Sequence, residues 1–242
     1  FKIAVMNYST MLSENHSIPE DSSYMVNLYS EENAREDLEE AKQEADVAIV
    51  YLHGGQDESV EPEKRLKERV QFLAEQGADV IICSHPHILK GYELIEKPDG
   101  KETLVYYSLG NFVSAQSSLE NLLGGMADFT LKKDGDEITI DSYTMVPLVM
   151  HYNEDYTECS VYKLEDYTDE LAQEHGIHEE NPEEDFSLTA LEDAADQAGE
   201  LHTEWEFQTD DTDEENTDAE NTDADNPDTE DSTGNNTTDS QG

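Results

Sequence analysis

The chain has 242 residues and a formal charge of −47, from 13 Lys and Arg against 60 Asp and Glu. So few basic side chains exclude a nucleic-acid binder, which needs Lys and Arg against phosphate, and the negative charge opposes docking on anionic membrane surfaces. Its two cysteines, Cys83 and Cys159, have no CxxC neighbour and are too few for a disulfide framework, and no apolar run is long enough to span a bilayer.

The charge is uneven along the chain. Lys163 is the last Lys or Arg; up to it 13 basic residues face 31 acidic ones, and after it 29 acidic residues face none. The front therefore reads as a folded domain and the rear as an acidic extension. Phe1-Lys-Ile-Ala-Val-Met6 reads as a core strand without a lead-in, so the domain is expected to be N-terminally incomplete, with no signal peptide or anchor to read.

Residues 7–27 are polar and irregular. Ser30 then opens a helix to about Ala45, with Ala34, Leu38, Ala41 and Ala45 on one face and acidic residues in the first turns, where the helix dipole favours them. Val47–Leu52 is a buried strand. A second helix begins near Pro62, carries Leu66, Val70, Leu73 and Ala74 as its apolar stripe and stops at Gly77. Asp79–Cys83 is the next strand, and its apolar setting makes Cys83 a structural thiol. The order β, α, β, α, β implies a parallel sheet flanked by helices.

After His87 the pattern changes. Leu89–Glu96 and Glu102–Ser108 flank the turn Lys97-Pro-Asp-Gly-Lys101, and Met126–Lys132 and Glu137–Val146 flank Lys133-Asp-Gly-Asp136, giving two hairpins. A parallel βα front joined to antiparallel hairpins predicts an α/β fold with two sheets face to face and helices outside, a four-layer α/β/β/α sandwich. Cys159–Leu164 supplies one more strand candidate, and Thr168–His175 a short helix. The predicted domain runs over 1–176, a weakly structured acidic linker with a weak helix at Ser187–Gly199 over 177–208, and a disordered acidic tail over 209–242. The tail contains a rough repeat, Asn216-Thr-Asp-Ala-Glu220, Asn221-Thr-Asp-Ala-Asp225, Asn226-Pro-Asp-Thr-Glu230, too polar to offset the entropy of ordering.

Three strand ends carry chemistry: His53-Gly-Gly-Gln-Asp57, Ser84-His-Pro-His87 and Ser108-Leu-Gly-Asn-Phe112. Strand ends are where α/β folds build sites. His85 and His87, two apart in an extended segment, share a side; with His53 they could bind Zn, Mn or Fe. Asp57, Ser84 and Asn111 would line the site. From spacing alone a loop-bracing role for the His-x-His pair stands equally. Ser84 lacks the G-x-S-x-G elbow of a serine nucleophile. His16, His151, His175, His178 and His202 read as ordinary surface histidines.

The combination of His53-Gly-Gly-Gln-Asp57, Gln76-Gly-Ala-Asp-Val-Ile-Ile-Cys-Ser-His-Pro-His-Ile-Leu89 and Tyr106-Tyr-Ser-Leu-Gly-Asn-Phe-Val113 resembles the bacterial CapA family of capsule-synthesis proteins over roughly Phe1–Gly176. Gly54 and Asp57 stand where that family commonly has an aromatic residue and Glu, and Cys83 replaces a glycine. The resemblance implies a calcineurin-like metallophosphoesterase fold, with His53, His85 and His87 as metal ligands. It also implies a role in poly-γ-glutamate synthesis or export at the extracellular face of the membrane, beside capsule-synthesis membrane proteins. The family's first strand, with acidic and amide groups that complete a metal centre, is expected to precede Phe1. The chain would then bind a divalent transition metal (Mn, Fe or Zn) only together with that missing part. The alternative function is a metal-dependent phosphoesterase. Divalent cations are the natural partners of the tail, which would not itself attract a polyanion.

Overall fold

The computed structural model describes residues 1–12, 17–56, 59–135 and 137–205. The apolar runs of the sequence build two sheets. The first has five strands, β1 (Ile3–Ser9), β2 (Val47–His53), β3 (Val80–Ser84), β4 (Leu89–Glu96) and β5 (Glu102–Leu109), in the order β1-β2-β3-β5-β4. β1, β2, β3 and β5 are parallel; β4 returns antiparallel to β5 through the Pro98-Asp-Gly100 turn.

Helices α1 (Glu31–Glu44) and α2 (Lys64–Glu75) make the crossovers. Ser30 caps α1 by accepting a hydrogen bond from the Asn33 N–H at 3.1 Å, and Glu31 and Glu32 occupy its first turn. Because side chains alternate across a strand, Leu52, Ile81, Cys83, Val105 and Tyr107 face the helices, where Leu38, Leu66, Val70 and Leu73 meet them. Burial pushes the Cys83 thiol up, as a structural thiol requires.

The alternate residues Val80, Ile82, Leu104 and Tyr106 face a second, antiparallel sheet: β6 (Leu123–Asp134), β7 (Glu137–Tyr152) and β8 (Cys159–Lys163), in that order, preceded by the short α3 (Leu119–Leu122). Leu123, Met145 and Val149 fill the inter-sheet core. The observed stack is therefore mixed α/β, with helices, a mostly parallel sheet and an antiparallel sheet in succession. The inner face of the β1–β2 corner is less covered: Ile3 is 48% exposed, Val5 62% and Tyr51 41%, because the second sheet has only three strands to lay beneath five.

Residues 177–205 differ from the weak linker expected of them. Helix α4 (Asp169–Gln173) falls within the short helix expected at Thr168–His175, and α6 (Leu188–Gln197) within the weak helix expected at Ser187–Gly199; with α5 (Ile177–Glu180) between them, Ile177, Phe186, Leu191, Ala195 and Ala198 join Ala172 in the inter-sheet cluster. A few well-spaced apolar side chains anchor an otherwise acidic segment, which overall composition conceals. Beyond α6 the chain lies along β4: the Leu201 N–H donates to the Tyr92 carbonyl at 2.7 Å, and the Thr203 N–H to Glu93 at 2.9 Å. That segment covers the β4 edge, which would otherwise present unpaired backbone.

The histidines of this region also depart from expectation. His175 is 2% exposed, its Nε2 hydrogen-bonded to the Met150 carbonyl at 3.0 Å and its Nδ1 accepting from the Ile177 N–H at 2.9 Å. His151 packs edge-on to it and bonds the Tyr167 hydroxyl at 2.8 Å; the His178 Nε2 bonds the Ala172 carbonyl at 2.9 Å. Folding brings Met150, Tyr152 and Phe186 to His175, which is why a local reading left it at the surface. The pentad repeat, the tail from 209, and His16 lie outside the described residues.

Candidate functional site

In a parallel sheet all strands end on one side, so the C-terminal ends of β1, β2, β3 and β5 form a common rim. His53 closes β2 in register with Ser9 and Ser84. The chain then turns so that the Gly54 N–H donates to the Ser84 carbonyl at 2.7 Å, while the Thr10 N–H donates to the His53 carbonyl at 2.9 Å. Gly54 is packed against Thr10: any Cβ at Gly54 would fall on the threonine hydroxyl, so an aromatic residue here requires Thr10 to move. Thr10 was not singled out by the sequence, and its only signal was its position one residue past a strand.

His85 begins the loop after β3 with φ of +111°, in a region that L-residues seldom occupy. Such backbone conformations cost about 1–3 kcal/mol and collect at functional sites. The rings of His53 and His85 lie 5.1 Å apart, edge to face, and those of His85 and His87 6.4 Å apart. Burial, followed by the charges of His85 and His87, holds the His53 imidazole below its ordinary value and so favours the neutral form that ligates metals. The Ser84 hydroxyl lies 3.3 Å from the His53 Nδ1.

Asn111 fixes the third ring. Its Nδ2 donates to the Asn121 carbonyl at 2.9 Å and to the Gln116 Oε1 at 2.7 Å. The carbonyl can only accept, so the amide orientation is settled and Asn111 Oδ1 faces the His87 Nδ1 at 2.8 Å. The His87 Nδ1 therefore donates to Asn111 Oδ1. Asn121 closes the ring of contacts by donating to the His87 carbonyl at 3.1 Å. Two glycines permit this approach. Gly110 has φ of +60°, and a Cβ on Gly124 of β6 would fall on the Asn111 carbonyl oxygen.

Behind the rim, Lys90 is 1% exposed and its Nζ donates to the Gln56 carbonyl at 2.5 Å, with Glu63 at 3.8 Å. It tethers the loop that follows His53. Lys90 was not singled out by the sequence, because its partners Gln56 and Glu63 reach it only through folding.

The structure thus brings His53, Ser84, His85, His87 and Asn111 together; Asp57 lies outside the described residues. The donor types suit Zn, Mn or Fe. Among the described residues, however, no three His, Cys, Asp or Glu side chains converge on a common metal position.

The class of protein so defined is an α/β chain with a histidine and asparagine rim at the strand ends of a mostly parallel sheet. Residues 1–116 match the family described as "Bacterial capsule synthesis protein PGA_cap". Over 114 residues the chain is 36% identical to the PGA biosynthesis protein CapA of Bacillus subtilis (strain 168), covering 46% of this chain and 29% of that protein. Over 97 residues it is 29% identical to the capsule biosynthesis protein CapA of Bacillus anthracis, covering 40% and 22%. Over this segment the chain is similar to CapA-type capsule-synthesis proteins. It spans less than a third of the length of either relative. A crystal structure of a protein assigned as a 5′-nucleotidase from Staphylococcus aureus, with alpha-ketoglutarate, overlaps 49% of this chain and 22% of that one at 24% identity. Its TM-score of 0.31 is too low to inform the fold.

Proposed function

We propose that this chain serves bacterial capsule biosynthesis in the manner of CapA, acting in poly-γ-glutamate synthesis or export at the cell surface. The observation that carries the reading is the coincidence of the family match over residues 1–116 with the segment that builds the rim. The names of both curated relatives speak for capsule biosynthesis and not for a phosphoesterase, which makes ester hydrolysis the less favoured alternative.

The complete domain is proposed to be a four-layer α/β/β/α metallophosphatase-like sandwich, which the stacked helices and two sheets support. Within it His53, His85 and His87 form one bank of a divalent transition-metal site, completed by donors beyond these three. The Nδ1 anchor of His87 on Asn111 and the neutral tendency of His53 support this assignment. Poly-γ-glutamate and capsule-synthesis membrane proteins are the proposed partners, and divalent cations mediate any approach of polyanion to the acidic sequence.

The test restores the chain to a capsule-producing Bacillus subtilis background with His85→Ala and His87→Ala. The reading expects polymer output to fall with protein level unchanged. Undiminished polymer would remove the rim from the function. Titration of the purified chain with Mn²⁺ or Zn²⁺ should show weak binding, since the three imidazoles do not converge; tight stoichiometric binding would contradict that geometry.

A further inference from the structure

A second concave feature lies beside the rim and plays no part in the metal-site reading. A cavity of 370 Å³ opens between α6, the Ile88-Leu89 segment and the α3–β6 junction. Its floor is apolar: Val60, Ile88, Leu89, Leu119 and Leu123. Helix α6 turns Ala190 and Ala194, one helical turn apart, toward it, and these small side chains leave the groove open. Ser187 caps that helix by accepting from the Ala190 N–H at 3.2 Å, so the wall is built on a defined element and not on a loop.

The rim of this groove is acidic. Glu184 is committed to the structure, accepting from the Leu119 N–H at 2.7 Å and from the Asn181 amide at 3.2 Å. Glu120, Asp185 and Asp193 are exposed at the mouth, and among the described residues none of the three takes part in an ion pair. No Lys or Arg lines the groove, and none follows Lys163 in the sequence. Three carboxylates around an apolar floor repel an acidic polymer and favour an apolar anchor flanked by cations.

We propose that this groove docks a partner polypeptide through an amphipathic segment, its Leu-like side chains on the Leu119–Leu123 floor and its Lys or Arg against Glu120, Asp185 and Asp193. The capsule reading is not needed for this. Groove and rim are contiguous, since Ile88 follows His87 and Asn121 joins α3 to the His87 carbonyl.

The experiment uses the whole chain and a synthetic amphipathic Leu/Lys peptide, with a Leu/Glu peptide and a Lys/Ser peptide as controls. Binding is followed by methyl NMR at Ala190, Ala194, Leu119 and Leu123, which separates the groove from diffuse attraction to the acidic surface. Ala194→Trp, which fills the cavity from a partly exposed position, should weaken the groove-resolved affinity about tenfold or more. Asp193→Lys, a surface change that spares the core, should weaken it severalfold. Retained far-ultraviolet circular dichroism shows that both variants fold. If the Leu/Lys peptide leaves the groove methyls unmoved, binds both variants as tightly as the parent, or is matched there by either control, the proposal is wrong.

Discussion

Removing the titratable group at His175 should flatten the acid sensitivity of this fold. His175 sits between β7 and α5 with its Nε2 at the Met150 carbonyl and its Nδ1 at the Ile177 N–H. Both contacts hold only in the neutral ring: a proton on Nδ1 would confront another N–H inside an aromatic cage of Tyr152, Phe186 and His151. Burial, aided by His151 and His178 and opposed by the Met150 carbonyl, pushes the imidazole down from 6.5 to about 4. The unfolded chain therefore takes up a proton near pH 6.5 while the folded chain does not until about 4. Unfolding is linked to proton uptake, so stability is complete above pH 6.5 and falls as the pH drops toward 4. At about 1.36 kcal/mol per pH unit the full loss is about 3 kcal/mol. Carboxylates titrate toward the lower end of the same window, so the comparison is with His175→Gln, which keeps a donor and an acceptor but no proton equilibrium. Urea unfolding at steps from pH 7 to 4 should show the parent losing stability more steeply than the variant, by about 1 kcal/mol per pH unit. Parallel slopes, or a His175 ring that titrates near 6.5 in the folded protein, would refute the linkage.

Three further outcomes follow from the geometry. Gly124→Ala should cost about 1–3 kcal/mol, because its Cβ falls on backbone that cannot swing aside; urea unfolding measures the loss, and His87 ring resonances should report the displaced Asn111. His85→Gly should stabilise the chain by about 1 kcal/mol, since relief of the positive φ exceeds the added flexibility of glycine; a lower thermal midpoint would show that the conformation carries no strain. Tyr107→Phe removes the 2.5 Å bond to the buried Glu93 and should cost about 1–3 kcal/mol. Because Glu93 also holds the Thr203 N–H, faster amide exchange at Thr203 should accompany it.

Much of the front half was legible because its cues are local. The Ser30 cap, the α1 and α2 stripes and the Pro98-Asp-Gly100 turn each follow from neighbours within a few residues, and the strands fall within a few residues of their apolar runs. The rim was legible for a related reason: parallel strands put His53, His85 and Asn111 on one side whatever their separation in sequence. Thr10, Gln116, Asn121 and Lys90 were not legible, since each matters only through a partner brought to it by folding. The orientation of Asn111, and hence the Nδ1 anchor of His87, belongs with them.

The acidic stretch after Lys163 marks the boundary most clearly. Composition alone made 177–208 a weak linker, yet Ile177, Phe186, Leu191 and Ala195 are enough to seat α5 and α6 in the inter-sheet core. The sequence by itself determined the alternating βα order, the helix limits and the residue types at the strand ends, because periodicity, capping and turn chemistry act over short distances. Only the tertiary structure decided which histidines are buried, which glycines admit a neighbouring backbone and where the acidic helix lies. Those depend on surfaces that meet across tens of residues, and no local pattern encodes the meeting.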